Sequence, residues 1–241
     1  MASFYSFSPK TTSISFSWPT GITGLERVAL SAQGDLQRIL SAFFARPIVI
    51  ALIYSHTFEK RLDGTLSPLS LPNAAAVAAA TPEAPLVQNR QVHLQCSGKV
   101  VCTATSTVSI YSARCAHLFL EEKFAIGQLF AKIQVTPTFE LLDVGVGDLG
   151  DRDAEKGVAQ GPRLYRKYRL SCAEIECEIL EVFARDMFVG GQAWLDDQPV
   201  SSVASGTLRV PSKTTLPWLA LFSMLVFELY MLSAGRPGCV A

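Results

Sequence analysis

Two stretches of strict alternation constrain this chain more than any other feature. In residues 90–96, Val92, Leu94 and Cys96 share one face of a strand and Gln91, His93 and Gln95 share the other, because successive strand side chains point to opposite faces. In residues 174–183, Ile175, Cys177, Ile179 and Phe183 form an apolar face, while Glu174, Glu176 and Glu178 point the other way. Each stretch belongs to a hairpin pattern. Residues 90–96 turn at Ser97–Gly98 into KVVCTATSTVSI at 99–110, and YRKYRLS at 165–171 leads into 174–183. Hairpins with one apolar face pair into an antiparallel sheet that must cover that face.

The rest of the pattern supplies the cover. In DLQRILSAFFA, starting at Asp35, Leu36, Ile39, Leu40 and Phe43 recur at helical spacing. Pro47 ends that helix by disfavouring helical backbone at Arg46. The β-branched run IVIALIY at 48–54 reads as a buried strand. Ser112 is placed to cap a helix over 113–124, and TPTFELLDV at 136–144 reads as a further strand. This order predicts an α+β fold over residues 25–190, an antiparallel sheet with helices packed on one side. Outside it, residues 1–24 read as a flexible arm and 191–215 as a linker. Within it, residues 145–163 read as a Gly- and charge-rich loop. The Pro- and Ala-rich stretch 62–86 reads as a flexible insertion, either a disordered loop or a lid with a short Ala-rich helix.

Composition excludes several classes. With 49% hydrophobic residues and zero net charge, the chain is not intrinsically disordered. It also lacks the basic excess that drives nucleic-acid binding. The six cysteines form no CxxC pair and no secretory leader is evident, so reduced thiols and a cytoplasmic location are expected. The three histidines, His56, His93 and His117, are scattered, with no HxH or HExxH spacing, so no metal is expected. No GxGxxG, GxxxxGK[ST] or GxSxG motif occurs, and no cofactor is expected. The mean hydropathy is +0.27 although only 17% of residues are charged. Roughly half of that excess lies in the apolar run 216–234. This run reads as a membrane anchor despite Glu228, as a buried terminal helix, or as a tail under little selection.

Arg90 and Glu181 each fall on an apolar face, in register with core positions. A buried charge requires a partner or a polar cavity. One reading makes them structural: a rim arginine and a glutamate paired elsewhere, or the two paired with each other. The other places both in a pocket, where Arg90 binds a carboxylate in fork geometry and Glu181 acts as a general acid or a hydrogen-bond acceptor.

The stretches LSAQGDLQRILSAFFARPIVIALI (30–53), NRQVHLQCSGKVVCTATSTVSI (89–110), FAIGQLF (124–130) and YRKYRLS…EILEVF (165–183) resemble the chorismate lyases. These enzymes split chorismate into 4-hydroxybenzoate and pyruvate, and the likeness is to their actinobacterial and archaeal branch. The resemblance implies a sheet that encloses an internal ligand pocket. In it, Arg90 would bind the ring carboxylate, Glu181 would lie near the product hydroxyl and Gly127 beside the ligand. Ser106 stands where one branch has an arginine and joins the substrate-binding candidates. The acidic hairpin runs longer than in the bacterial pattern, which makes Glu178 the fallback for Glu181. The 62–86 insertion also departs from the family. The implied function is a cofactor-independent lyase or cyclase acting on a small carboxylate, aromatic or polyene substrate, of the kind used in secondary-metabolite or quinone biosynthesis. The alternative is a non-catalytic small-molecule-binding module of the same fold, as in GntR-type regulators. Their winged-helix DNA-binding domain finds neither room nor a basic patch here.

Overall fold

The computed structural model describes residues 5–8, 11–61, 63–147 and 163–197. The two alternating stretches are neighbours of one strand at the centre of a sheet. The sheet contains β3 (Ile48–Lys60), β4 (Leu66–Leu69), β5 (Leu86–Cys96), β6 (Lys99–Ile110), β7 (Thr138–Gly147), β8 (Arg163–Ser171) and β9 (Ile175–Phe183). Their spatial order is β4-β3-β5-β6-β9-β8-β7, with every neighbouring pair antiparallel. The β5–β6 hairpin closes on Ser97 and Gly98, whose φ angles of 50° and 82° suit the two-residue turn that matches strand twist. Alternation then sends Val92, Leu94 and Cys96 into the core together with Ile175, Cys177, Ile179 and Phe183.

Helices α1 (Gly24–Leu30), α2 (Leu36–Phe44) and α5 (Ile126–Ile133) contribute Leu30, Leu36, Leu40, Phe44, Leu129 and Phe130 to the same core. The architecture is therefore α+β, with a seven-stranded antiparallel sheet. Ser112 caps α4 (Ala113–Ala116) by accepting from the Cys115 amide at 3.2 Å, and a π-helical turn at His117–Glu121 continues it.

Four expectations are corrected or narrowed by what is observed. The first concerns the N-terminal arm, which forms a two-stranded hairpin of β1 (Tyr5–Ser8) and β2 (Thr11–Ile14). Phe16 and Trp18 then pack against the core, and Ile22 is buried. The second concerns 62–86, which carries β4 and α3 (Ala74–Ala78). Asn73 caps α3, and Val77 and Ala80 anchor it in the core. Of the two alternatives for this stretch, the Ala-rich helix is the one present. The third concerns Ile48–Tyr54, which is not a buried strand. β4 pairs only with residues 57–60 of β3, so the remainder of β3 is a sheet edge among the described residues, and Val49 is 59% exposed.

The fourth concerns the linker expected from 191. Instead, α6 (Met187–Asp196) runs through its start. Met187 and Leu195 are buried, and Trp194 stacks on Phe44 at 6.5 Å. Apolar side chains separated by glycines gave no clear helical stripe there. The rest of 191–215 and the run 216–234 lie outside the described residues, as does most of the 145–163 loop. Among the described residues, no helix is long and apolar enough to cross a membrane.

Within α6, Leu195 is 5% exposed and Val189 is 87% exposed. Leu195→Ala is expected to cost about 2–4 kcal/mol in urea unfolding, and Val189→Ala under about 0.5 kcal/mol. Equal effects would mean that α6 is undocked.

Candidate functional site

Strands β8 and β9 pair Arg166 directly opposite Glu181. Both side chains point to the core face, where Arg166 is fully buried. Arg166 Nε donates to Glu181 Oε2 at 2.7 Å. Its Nη1 donates to the carbonyls of Leu30 at 2.8 Å, Ala32 at 2.6 Å and Ala29 at 3.3 Å. These carbonyls close the C-terminal end of α1, where backbone acceptors lack helical partners and a cation is favoured. Tyr168, two residues further along β8, donates its hydroxyl to Glu181 Oε1 at 2.9 Å. Burial opposes the Arg166 charge, but the Glu181 carboxylate outweighs it and holds the guanidinium above its ordinary pKa. Burial, reinforced by Glu181, pushes the Tyr168 phenol well above its usual range, so Tyr168 stays a neutral donor.

Glu181 also lines a cavity of about 380 Å³ on the core face of the sheet. Arg90, Ser106 and Gly127 line the same cavity, so the four candidates from the sequence, with Glu181, meet at one place, and Tyr168 joins them. The register explains this meeting: Arg90 on β5 lies opposite Ser106 on β6, and Ala104, two residues before Ser106, lies opposite Glu181 on β9. The first residues of α2 and α5 complete the wall, with their unpaired amides and positive dipole ends. Gly127 is the second residue of α5. A Cβ there would lie 3.2 Å from the Gly34 carbonyl, so glycine lets α5 close against the loop before α2.

Arg90 differs from Arg166 in one respect. Among the described residues, no carboxylate and no hydrogen-bond acceptor pairs with its guanidinium, which rests 5.3 Å from the Phe119 ring centre. Burial pushes its pKa down from the ordinary value.

The alternatives left open by the sequence now separate. Arg90 and Glu181 are not an ion pair with each other, because Glu181 is taken by Arg166. The fallback, Glu178, points away from the cavity and bonds Lys167 at 2.7 Å and Arg169 at 3.4 Å. Both oxygens of Glu181 already accept hydrogen bonds, so the arrangement favours an acceptor over a general acid. Sequence reasoning missed Arg166 and Tyr168. The signal that would have found them is the same parity, since Leu164, Arg166, Tyr168 and Leu170 alternate onto the core face of β8. No cysteine lines this cavity among the described residues, and burial pushes the Cys115 thiol up to about 11 and raises Cys177 and Cys102 as well. Among the described residues, no group of three His, Cys, Asp or Glu side chains could hold a metal ion.

No family model matches this chain, and no curated protein matches it. Among solved structures, it is similar to a possible transcriptional regulator, YydK, from Bacillus subtilis subsp. subtilis str. 168. The identity is 11% and the TM-score 0.39, over 76% of this chain and 72% of that one.

Arg166→Met strands Glu181 as a buried charge. Unfolding in urea is expected to show a loss of about 3–5 kcal/mol. The double variant Arg166→Met/Glu181→Leu is expected to recover much of it. A single variant as stable as the wild type would mean that the pair is dispensable.

Proposed function

We propose that the cavity binds a small organic carboxylate, with Arg90 as its counter-ion. The observation that carries this reading is the contrast between two core-facing arginines. Arg166 has a carboxylate and three carbonyls, whereas Arg90 has an aromatic ring and an open cavity. A guanidinium withdrawn from water without an anion is costly, and a bound carboxylate offsets that cost through two parallel hydrogen bonds. The helix starts beside it favour the same sign of ligand. A volume of about 380 Å³ suits an aromatic or alicyclic acid. Glu181, fixed by Arg166 and Tyr168, offers an acceptor to a ligand hydroxyl, and Ser106 adds a neutral polar group.

4-Hydroxybenzoate is expected to bind in titration calorimetry, and Arg90→Ala is expected to abolish the heat while leaving the melting temperature within a few degrees. Unchanged affinity in the variant would end the assignment of Arg90.

A second reading is catalytic, and one observation favours it: Arg90 and Glu181 line the same cavity from different strands. This is the pairing that the resemblance to chorismate lyases implies. Elimination of pyruvate from chorismate restores aromaticity, so the protein needs only to hold one conformer and exclude water. Arg90 would anchor the ring carboxylate, and Glu181 would accept from the ring hydroxyl, which becomes phenolic as the neighbouring enolpyruvyl C–O bond and the ring C–H break. Incubation with chorismate is expected to release pyruvate, detected by a coupled dehydrogenase assay, with Glu181→Gln lowering the rate while the fold persists. Binding of 4-hydroxybenzoate without any pyruvate release would leave the non-catalytic binding module.

A further inference from the structure

A second cavity, of about 1040 Å³, adjoins the first. Gln37, Ile50, Arg90, Ala125 and Gln128 stand in the walls of both. Its floor is the core-facing side of β3, where Ile50 lies opposite Leu94, Leu52 opposite Val92 and Ser55 opposite Arg90. One wall is the chain from Pro68 to Leu71, and the other carries Phe119 and Lys123.

Three features indicate what this cleft holds. Ile50 and Leu52 are 36% and 57% exposed, although they face the side of the sheet that elsewhere is core. Two of the polar side chains in the floor satisfy each other, since Gln88 Nε2 donates to Thr57 Oγ1 at 3.0 Å. The lining contains Arg90 and Lys123 and no Asp or Glu. A cleft with the exposed apolar side chains of Ile50 and Leu52 in its floor and two cations in its lining, continuous with a cavity that contains an unpaired arginine, matches an anion with an apolar extension.

We propose that the ligand is an amphipathic acid. Its carboxylate meets Arg90, its compact head fills the smaller cavity, and an extended apolar tail lies over Ile50 and Leu52 in the larger one. This rests on the carboxylate-binding reading and sets the ligand's size and class.

The test compares 4-hydroxybenzoate with 4-hydroxy-2-octylbenzoate, whose chain leaves the ring beside the carboxylate and whose hydroxyl stays free for Glu181, by titration calorimetry on the full chain, below the concentration at which the octyl compound self-associates. The tail is expected to strengthen binding at least tenfold, since even two buried methylenes supply that factor. Leu52→Glu is expected to erase the gain, with both acids then bound at the affinity of 4-hydroxybenzoate. Leu71→Glu, on the facing wall, is the second variant should Leu52→Glu fold poorly. Equal affinity of the two acids for the wild type would overturn the tail site and leave the carboxylate reading standing. No binding of either acid would overturn that reading itself. A tail gain that survives both variants would place the tail elsewhere. If sedimentation instead showed that Leu52→Glu turns a dimer into a monomer without changing the affinities, the cleft would be a contact between copies, and the proposal would fall.

Discussion

The buried bond between Arg166 and Glu181 is the constraint on which the rest of the site depends. A guanidinium at zero exposure needs strong compensation. Its Nε and Nη1 draw it from two other elements, the Glu181 carboxylate on β9 (itself held by the Tyr168 hydroxyl) and the carbonyls that end α1. The group packs 4.5 Å from the Tyr168 ring centre, while Nη2 is buried without a hydrogen-bond partner among the described residues. The α1 end is held at its other side as well, where Arg185 Nε bonds Glu26 Oε1 at 2.7 Å and Glu26 closes a capping box with Thr23. The helix layer is thus tied to the sheet by directional bonds in addition to apolar packing, which sets the gap between them. The cavity occupies that gap.

The same bond decides the electrostatics of the cavity. Glu181 spends its charge on Arg166 and enters the cavity as an oriented acceptor. That leaves Arg90 as the cation without a counter-charge among the cavity's described neighbours. Asp35 also lines this cavity, but its carboxylate is engaged by Arg38. The result is a site with net positive character in a chain of zero net charge. This positive character comes from an imbalance between two arginines on one sheet face and needs no basic surface.

How much was readable in advance follows from where alternation is clean. From Val92 to Cys96 in β5 and from Ile175 to Glu181 in β9 burial alternates strictly, so the core faces, and the two charges in register with them, could be assigned residue by residue. β8 obeys the same rule, but Arg163, Lys167 and Arg169 on its outer face surround Arg166. A charge among charges does not stand out, whereas a charge among leucines does. In β3 the apolar run has no alternation, and such a run reads equally well as a buried strand or as an edge strand flanked by a ligand trough. The helices α3 and α6 were hidden for a different reason. Each is held by a few anchors, Val77 in α3 with Ala80 just beyond it, and Met187, Phe188 and Leu195 in α6. A stretch of alanines or glycines with a few anchors has a local composition indistinguishable from a loop, and only the tertiary surface it docks on decides its state.

The apolar exposure on β3 and the unpaired charge on β5 share one physical cause. Helices α2 and α5 both begin at the edge of the smaller cavity, and β4 reaches only the far end of β3. Among the described residues, the helix layer therefore stops short of the sheet's edge, and the strip of core-facing surface from Leu52 to Arg90 opens onto the larger cavity, flanked by Phe119 and by the chain from Pro68 to Leu71. Closing that strip with side chains would have been straightforward in a chain that is 49% hydrophobic. An open strip that is apolar at one end and cationic at the other carries two separate desolvation costs, one for each end. A single amphipathic acid relieves both at once. A neutral hydrocarbon or a small inorganic anion relieves only one.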